Sequence, residues 1–166
     1  MSTTITRNIP PQRLVTGVNP AVRALIRSRL HAAVDPTLLM LHVDGRRTGR
    51  RYDIPVGYVR VDGRLVVVTQ HTWRANLRGG ADLDVTHDGH RERMHAQLDE
   101  EPPVVAETLR AVIERISVRR ARQLLGLRIT PPRLPTLEEL EAAVREFDLA
   151  VITLTPTDPP SAGPEC

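Results

Sequence analysis

Residues 52–69 read Tyr52-Asp53-Ile54-Pro55-Val56-Gly57-Tyr58-Val59-Arg60-Val61-Asp62-Gly63-Arg64-Leu65-Val66-Val67-Val68-Thr69. An Asp-Gly pair between two β-branched runs is the strongest short-range mark of a hairpin, because both residues tolerate the positive φ of a tight primed turn. Ile54, Val56, Tyr58 and Val59 lead into Asp62-Gly63, and residues 65–68 leave it. The same signal recurs at Asp88-Gly89, between Leu83-Asp84-Val85-Thr86 and the alternating residues 90–98. Two hairpins side by side predict an antiparallel sheet.

Working outward, residues 38–43 form an apolar run whose length favours a buried strand, and residues 45–49 a tight arginine-rich turn. Upstream, Asn19 and Pro20 mark a helix start, Val22, Leu25, Ile26 and Leu30 follow at helical spacing, and Asp35-Pro36 stops the helix. Residues 72–78 suit one or two helical turns ended by Gly79-Gly80. After Pro102-Pro103 the period becomes 3.6, with Val105, Leu109, Val112, Ile113 and Ile116 on one stripe. Thr136 caps a further helix that carries Glu138 and Glu139 in its first turn and Leu140, Val144 and Phe147 inside; residues 149–154 read as a last buried strand. The expectation is a mainly β chain with flanking helices (α+β), about six antiparallel strands closed into a small barrel that limits exposed edges. A length of 166 residues fits one domain, placed at 19–155 between a flexible segment 1–18 and a disordered tail 156–166.

Composition narrows the function. Hydrophobic residues at 40% and charged ones at 26% are globular values. No apolar run reaches the roughly 18 residues that span a bilayer, and residues 1–10 lack the pattern of a signal peptide. A cytoplasmic location, at most peripheral to a membrane, is expected. The single cysteine, Cys166, excludes disulfide frameworks and cysteine-rich zinc sites. All 23 basic residues are arginine, so no Schiff-base lysine exists. A net charge of +3 with four scattered aromatic rings suits neither a dedicated nucleic-acid binder nor a base-stacking platform.

Two segments could carry chemistry. In Gly45-Arg46-Arg47-Thr48-Gly49-Arg50-Arg51 the glycines allow close backbone approach, and the arginine forks match phosphate or carboxylate oxygens. The turn is equally readable as a solvated loop between strands. It has neither the Walker lysine nor a GxGxxG pattern. In Val68-Thr69-Gln70-His71-Thr72-Trp73-Arg74-Ala75-Asn76-Leu77, the single tryptophan stands among hydrogen-bonding side chains with Asn76 three residues on. A planar ligand could lean there, or Trp73 could plug the core.

Gly45-Arg46-Arg47-Thr48-Gly49, Pro55 six residues later, a valine-rich hairpin strand and then Trp73-x-x-Asn76-Leu77-Arg78 together resemble the deazaflavin-dependent nitroreductases, also called F(420)H(2)-dependent quinone reductases, of the split β-barrel flavin-binding superfamily. The likeness spans about residues 38–98. It implies a six-stranded split barrel of the flavin-reductase and pyridoxamine-phosphate-oxidase type. It also implies coenzyme F(420), with FMN as the alternative cofactor, and hydride transfer to a small quinone, nitro or other electron-poor acceptor. By this resemblance Arg46, Arg47, Thr48 and Gly49, helped by Arg50, hold the coenzyme's anionic tail. Pro55 shapes the strand beneath the ring, Val68, Thr69, Gln70 and His71 line its edge, and Trp73, Asn76 and Leu77 close the site. No side chain receives a catalytic role, and a homodimer is expected because such barrels commonly pair.

The chain departs from the family pattern in three places. Only residues 69–72 bridge the gap before Trp73, no tyrosine follows Tyr58, and Gly80-Ala81 stands where Asn-Pro is usual. A C-terminal tyrosine therefore cannot donate a proton here. The second function class is a non-catalytic split barrel that binds a flavin, lipid or other apolar ligand. No metal is expected, because His90 and His95 point to opposite faces of a strand and His87 lies at a hairpin tip. Arg115, Arg119, Arg120, Arg122, Arg128 and Arg133 read as a solvated basic face, and no GxSxG elbow supports a hydrolase.

Overall fold

The structure, a computed structural model, describes residues 4–7 and 38–157. The helix expected from Asn19 and the tail beyond residue 157 lie outside them. In chain order the elements are β1 (Thr4–Arg7), β2 (Leu38–Asp44), β3 (Arg51–Gly57), β4 (Val59–Val61), β5 (Arg64–Thr69), a 3₁₀ segment (Thr72–Leu77), β6 (Ala81–His87), β7 (His90–Asp99), α1 (Pro102–Ile116), α2 (Val118–Leu124), β8 (Leu127–Thr130), α3 (Leu137–Phe147) and β9 (Ala150–Pro156). The chain is mostly strand with flanking helices, as its patterning predicts.

Seven strands form one antiparallel sheet in the order β3-β2-β6-β7-β9-β5-β4. The two edge strands, β3 and β4, are consecutive in the chain and separated only by Tyr58. Two residues of extended chain reach about 7 Å, so the sheet must curl until its edges meet there. This is a split barrel. It has one strand more than the six expected, because the run before Asp62-Gly63 is divided. Residues 51–57 pair with β2, and only Val59, Arg60 and Val61 pair across the turn with β5. Both Asp-Gly turns form as read, with positive φ at Asp62, Gly63, Asp88 and Gly89.

Side-chain alternation sorts the core into two bodies. Leu39, Leu41, Val67, Val85 and Ile152 fill the inside of the curled sheet. Val66 and Val151 point outward and pack with Leu109, Ile113, Leu140 and Val144 of the helices. Strands β5 and β9 therefore bury apolar side chains on both faces, which explains the unbroken apolar runs 65–68 and 149–152. Helix α1 stops at Ser117, whose φ is +76°, and α2 leads into β8. Helix α3 starts on a complete capping box, with Glu139 N donating to Thr136 Oγ1 at 3.2 Å and Thr136 N to Glu139 Oε2 at 2.9 Å.

Residues 4–7 correct one expectation. They fall in the segment read as flexible, yet form β1, antiparallel to β8, with Ile5 buried among the helices. Strand β8 itself carried no sequence signal that set it apart from the helix before it. At the other end β9 continues to Pro156, and Thr157 bonds the carbonyl of Arg93 through both its backbone N and its hydroxyl. Among the described residues, no helix is long and apolar enough to cross a membrane.

Candidate functional site

The arginine-rich turn joins β2 to β3. Gly45 N donates to Arg50 O at 2.9 Å and Gly49 N to Gly45 O at 2.8 Å. Gly49 closes the loop at φ +63°, where a side chain would be strained. A Cβ on Gly45 would sit 3.0 Å from the Tyr52 ring, so that glycine lets the turn fold over the start of β3. Thr48 Oγ1 accepts from Arg50 N at 3.3 Å.

The turn is anchored to the 3₁₀ segment. Arg46 N donates to Asn76 Oδ1 at 3.1 Å, Asn76 Nδ2 donates to Trp73 O at 3.0 Å, and the Arg46 guanidinium bonds the carbonyl of Arg78. That segment is in turn held by Arg74, only 7% exposed. Its Nε donates to Glu100 Oε1 at 3.0 Å, Nη1 to Asp148 O at 2.8 Å and Nη2 to Asp148 Oδ1 at 2.7 Å. Burial opposes the charge on Arg74, but its hydrogen bonds to Asp148 and Glu100 raise its pKa above the ordinary value. Glu100 also accepts from Arg78, and the Arg78 bond is the main reason its carboxyl is lowered to about 2; Arg74 adds to this and burial works against it.

Turn and segment enclose a cavity of about 1080 Å³. Six arginines reach it: Arg46, Arg47, Arg50, Arg51, Arg78 and Arg91. Three of these are neutralised, Arg51 by Asp44, Arg78 by Glu100 and Arg91 by Asp84. Arg50 lies over the Tyr52 ring, 5.9 Å from its centroid, and Arg47 has no hydrogen bond or ion pair to another described residue. Unpaired guanidinium groups at an open, roomy rim suit a ligand with several negative charges. Tyr52, 42% exposed, and Trp73 supply flat apolar surface nearby.

Of the residues proposed from sequence, the structure brings Arg46, Arg47, Thr48, Arg50, Trp73 and Asn76 to this cavity. The others sit elsewhere. Gly49 shapes the turn, and Pro55 faces Met40 across β2 and β3. Val68 packs on the helical side, because it shares a strand face with Val66. Thr69 is buried with its hydroxyl accepting from His71 N at 3.1 Å, and Gln70 is half-buried next to it. The His71 imidazole is pushed below its usual pKa by burial first and then by Arg7. Leu77 is inside the barrel. Sequence reasoning missed His42, Tyr52 and Asp53, which also line the cavity. The available signal was a histidine in an otherwise apolar strand just before the turn and an aspartate at the mirror position after it. Among the described residues, no group of three His, Cys, Asp or Glu side chains is arranged to hold a metal.

Residues 17–123, more than half of the chain, match the model of the F420H(2)-dependent quinone reductase family. The chain belongs to this family. As an F420H(2)-dependent quinone reductase family member it is an oxidoreductase, and the match includes both the turn and the Trp73 segment. Among curated proteins none matches it. Similar solved structures include a chain described as a domain-swapped dimer, 14% identical, with 88% of this chain and 100% of that one covered at a TM-score of 0.46. Another is a pyridoxamine 5′-phosphate oxidase-related, FMN binding protein from Nostoc punctiforme, 14% identical, with 90% and 82% covered at a TM-score of 0.41.

Proposed function

We propose that this family member binds a reduced 5-deazaflavin, coenzyme F(420), in the cavity between the turn and the 3₁₀ segment and passes its hydride to a quinone, nitro compound or other electron-poor acceptor. One observation carries the reading: the turn and the Trp73 segment are tied together, Arg46 N to Asn76 Oδ1, around a single cavity rich in arginine. The residues fit the group. Its phosphate and carboxylate tail is polyanionic, and Arg47 and Arg50 offer uncommitted or lightly engaged guanidinium groups beside Thr48. The coenzyme supplies two electrons as hydride, and the protein supplies placement and electrostatics.

In this reading Arg47, Thr48 and Arg50 hold the tail. Arg46 orients the turn through the Arg78 carbonyl, and Gly49 lets the backbone reverse. Trp73 and Tyr52 flank the flat ring system, with Asn76 fixing the corner on which Trp73 sits. Gln70, His71 and Thr69 act behind it as the junction from β5, Leu77 and Val68 hold that junction through the two cores, and Pro55 stiffens β3.

The test is a titration of the purified chain with oxidised F(420), followed by addition of menadione to the complex with the reduced form. Saturable binding and loss of the reduced-form signal support the reading. Binding without oxidation makes the chain a ligand carrier, and tighter binding of FMN moves the cavity to that cofactor.

A further inference from the structure

In the cavity wall His42, 3% exposed, has both ring nitrogens engaged: Nδ1 lies 2.6 Å from Asp53 Oδ1 and Nε2 2.9 Å from Thr86 Oγ1, which makes it a crosspiece between strands. The outer surface holds charge that no such bonding accounts for. Between Glu114 and Glu138 the chain carries six of its 23 arginines and no acidic residue, while the other 17 arginines are set against all 20 acids. The net charge of +3 therefore arises in this one stretch. It runs from the last turn of α1 through α2 and β8, and α2 packs against both of its neighbours, so these elements form one continuous region.

The surroundings of these arginines set them apart. Elsewhere most described arginines meet carboxylates, as Arg51 meets Asp44, Arg60 meets Asp88, and Arg91 and Arg93 meet Asp84. Here Arg115 reaches Asp62 at 3.5 Å and Arg133 reaches Glu139 at 2.7 Å. The side chains of Arg119, Arg120, Arg122 and Arg128 are exposed, with no ion pair or hydrogen bond to another described residue. The helix dipole explains only some of them. Arg115 and Arg122 stand in last turns, where positive charge is favoured. Arg119 and Arg120 stand in the first turn of α2, where the dipole opposes them, no acidic residue offsets them and Ser117 provides no side-chain cap. Arg128 lies on the exposed face of β8 beside Thr130, with Thr4 and Thr6 of β1 across from them. Residues that break a local rule without local compensation mark function rather than folding.

We propose that this face docks the protein on an anionic lipid bilayer, with Arg119, Arg120, Arg122 and Arg128 against the headgroup phosphates. Dispersed cations beside a little apolar surface, here the half-buried Ile116 and Val118, suit such a bilayer. Nucleic acid fits less well. No aromatic ring falls within residues 115–137 to stack a base, and α2, seven residues long with Ala121 buried, is packed on the core rather than free to enter a groove.

The test is co-sedimentation of the full chain with lipid vesicles, and because no coenzyme enters it, its outcome is separate from the deazaflavin reading. The chain should bind vesicles of phosphatidylglycerol mixed with phosphatidylcholine and leave pure phosphatidylcholine unbound, and binding should weaken as salt rises. Near an anionic surface each arginine is worth about fivefold in affinity, so Arg119→Gln/Arg120→Gln/Arg122→Gln should lower vesicle binding by roughly 100-fold at an unchanged urea midpoint. Arg120→Gln alone should lower it about fivefold, which decides the matter should the triple variant fail to fold. Arg110→Gln/Arg145→Gln removes two arginines paired within their own helices and should lower it by no more than about twofold. Equal binding of both vesicles, binding of neither, or substituted chains that bind like the native one overturn the proposal. A short DNA duplex that strips the chain from the vesicles at a lower phosphate concentration also overturns it, and assigns the face to nucleic acid.

Discussion

Glu100 gives the sharpest quantitative test of how the site is held. Its two oxygens take three hydrogen bonds, from Arg74 Nε at 3.0 Å and from Arg78 Nε and Nη2 at 2.8 and 3.0 Å. The carboxyl is drawn from 4.5 to about 2, chiefly by Arg78. A folded-state pKa below the unfolded one adds stability that is fully present above about pH 4.5 and is lost as pH falls toward 2. A difference of about 2.5 units at about 1.36 kcal/mol each sets a ceiling near 3.4 kcal/mol. Because the side chain is 30% exposed, solvent screening reduces this to about 1–2 kcal/mol. For a chain of this size that is roughly 2–8 °C in Tm. Thermal melts of the native chain and Glu100→Gln should therefore differ by that amount at pH 7 and 5, converge below pH 4.5 and coincide near pH 2. A gap unchanged between pH 7 and 2.5, or no gap at pH 7, would refute the assignment of Glu100 as an ionised staple. The consequence reaches the cavity, since Arg74 lies within the segment that carries Trp73 and Asn76 and Arg78 directly follows it.

Arg47→Ala removes an exposed side chain with no described partner, so unfolding should shift by less than about 0.5 kcal/mol, while deazaflavin affinity falls by about 1.5–3 kcal/mol, roughly 10- to 150-fold in Kd. Isothermal titration at two salt concentrations checks both the loss and its ionic character. Arg46→Ala should weaken binding through displacement of the turn from the Arg78 carbonyl, and amide exchange at Gly45 and Gly49 should quicken, which Arg47→Ala should not cause. Thr136→Ala should cost about 0.5–2 kcal/mol in urea unfolding by breaking the capping box of α3, with ligand affinity unchanged.

Much of the architecture was written locally. The Asp-Gly pairs, the alternation in residues 90–98 and the 3.6 period after Pro103 each depend on neighbours a few residues apart, and all three became the elements they predicted. The division at Tyr58 did not show. Residues 51–61 have strand character throughout, and only the competing offers of β2 and β5 decide that the first part pairs one way and the last part the other. The arginine-rich turn stood out in the sequence because glycine and arginine at that density are unusual, and the Trp73 segment because its composition is distinctive.

The residues assigned to the edge of the ligand divided by strand face. Val68 looked like a liner because it ends a strand next to the motif, but it shares a face with Val66 and so meets the helices. By itself, the amino-acid order determined most of the strand and helix segments, β1, β8 and the break at Tyr58 aside, together with the tight turns and the cationic bend, since these follow from backbone preference and short-range periodicity. Only the tertiary structure decided which sheet edges meet, which side of each strand faces the cavity and that His42 finds Asp53 and Thr86. Those outcomes depend on register and sheet curl, which arise from contacts tens of residues apart and leave no trace in the local sequence pattern.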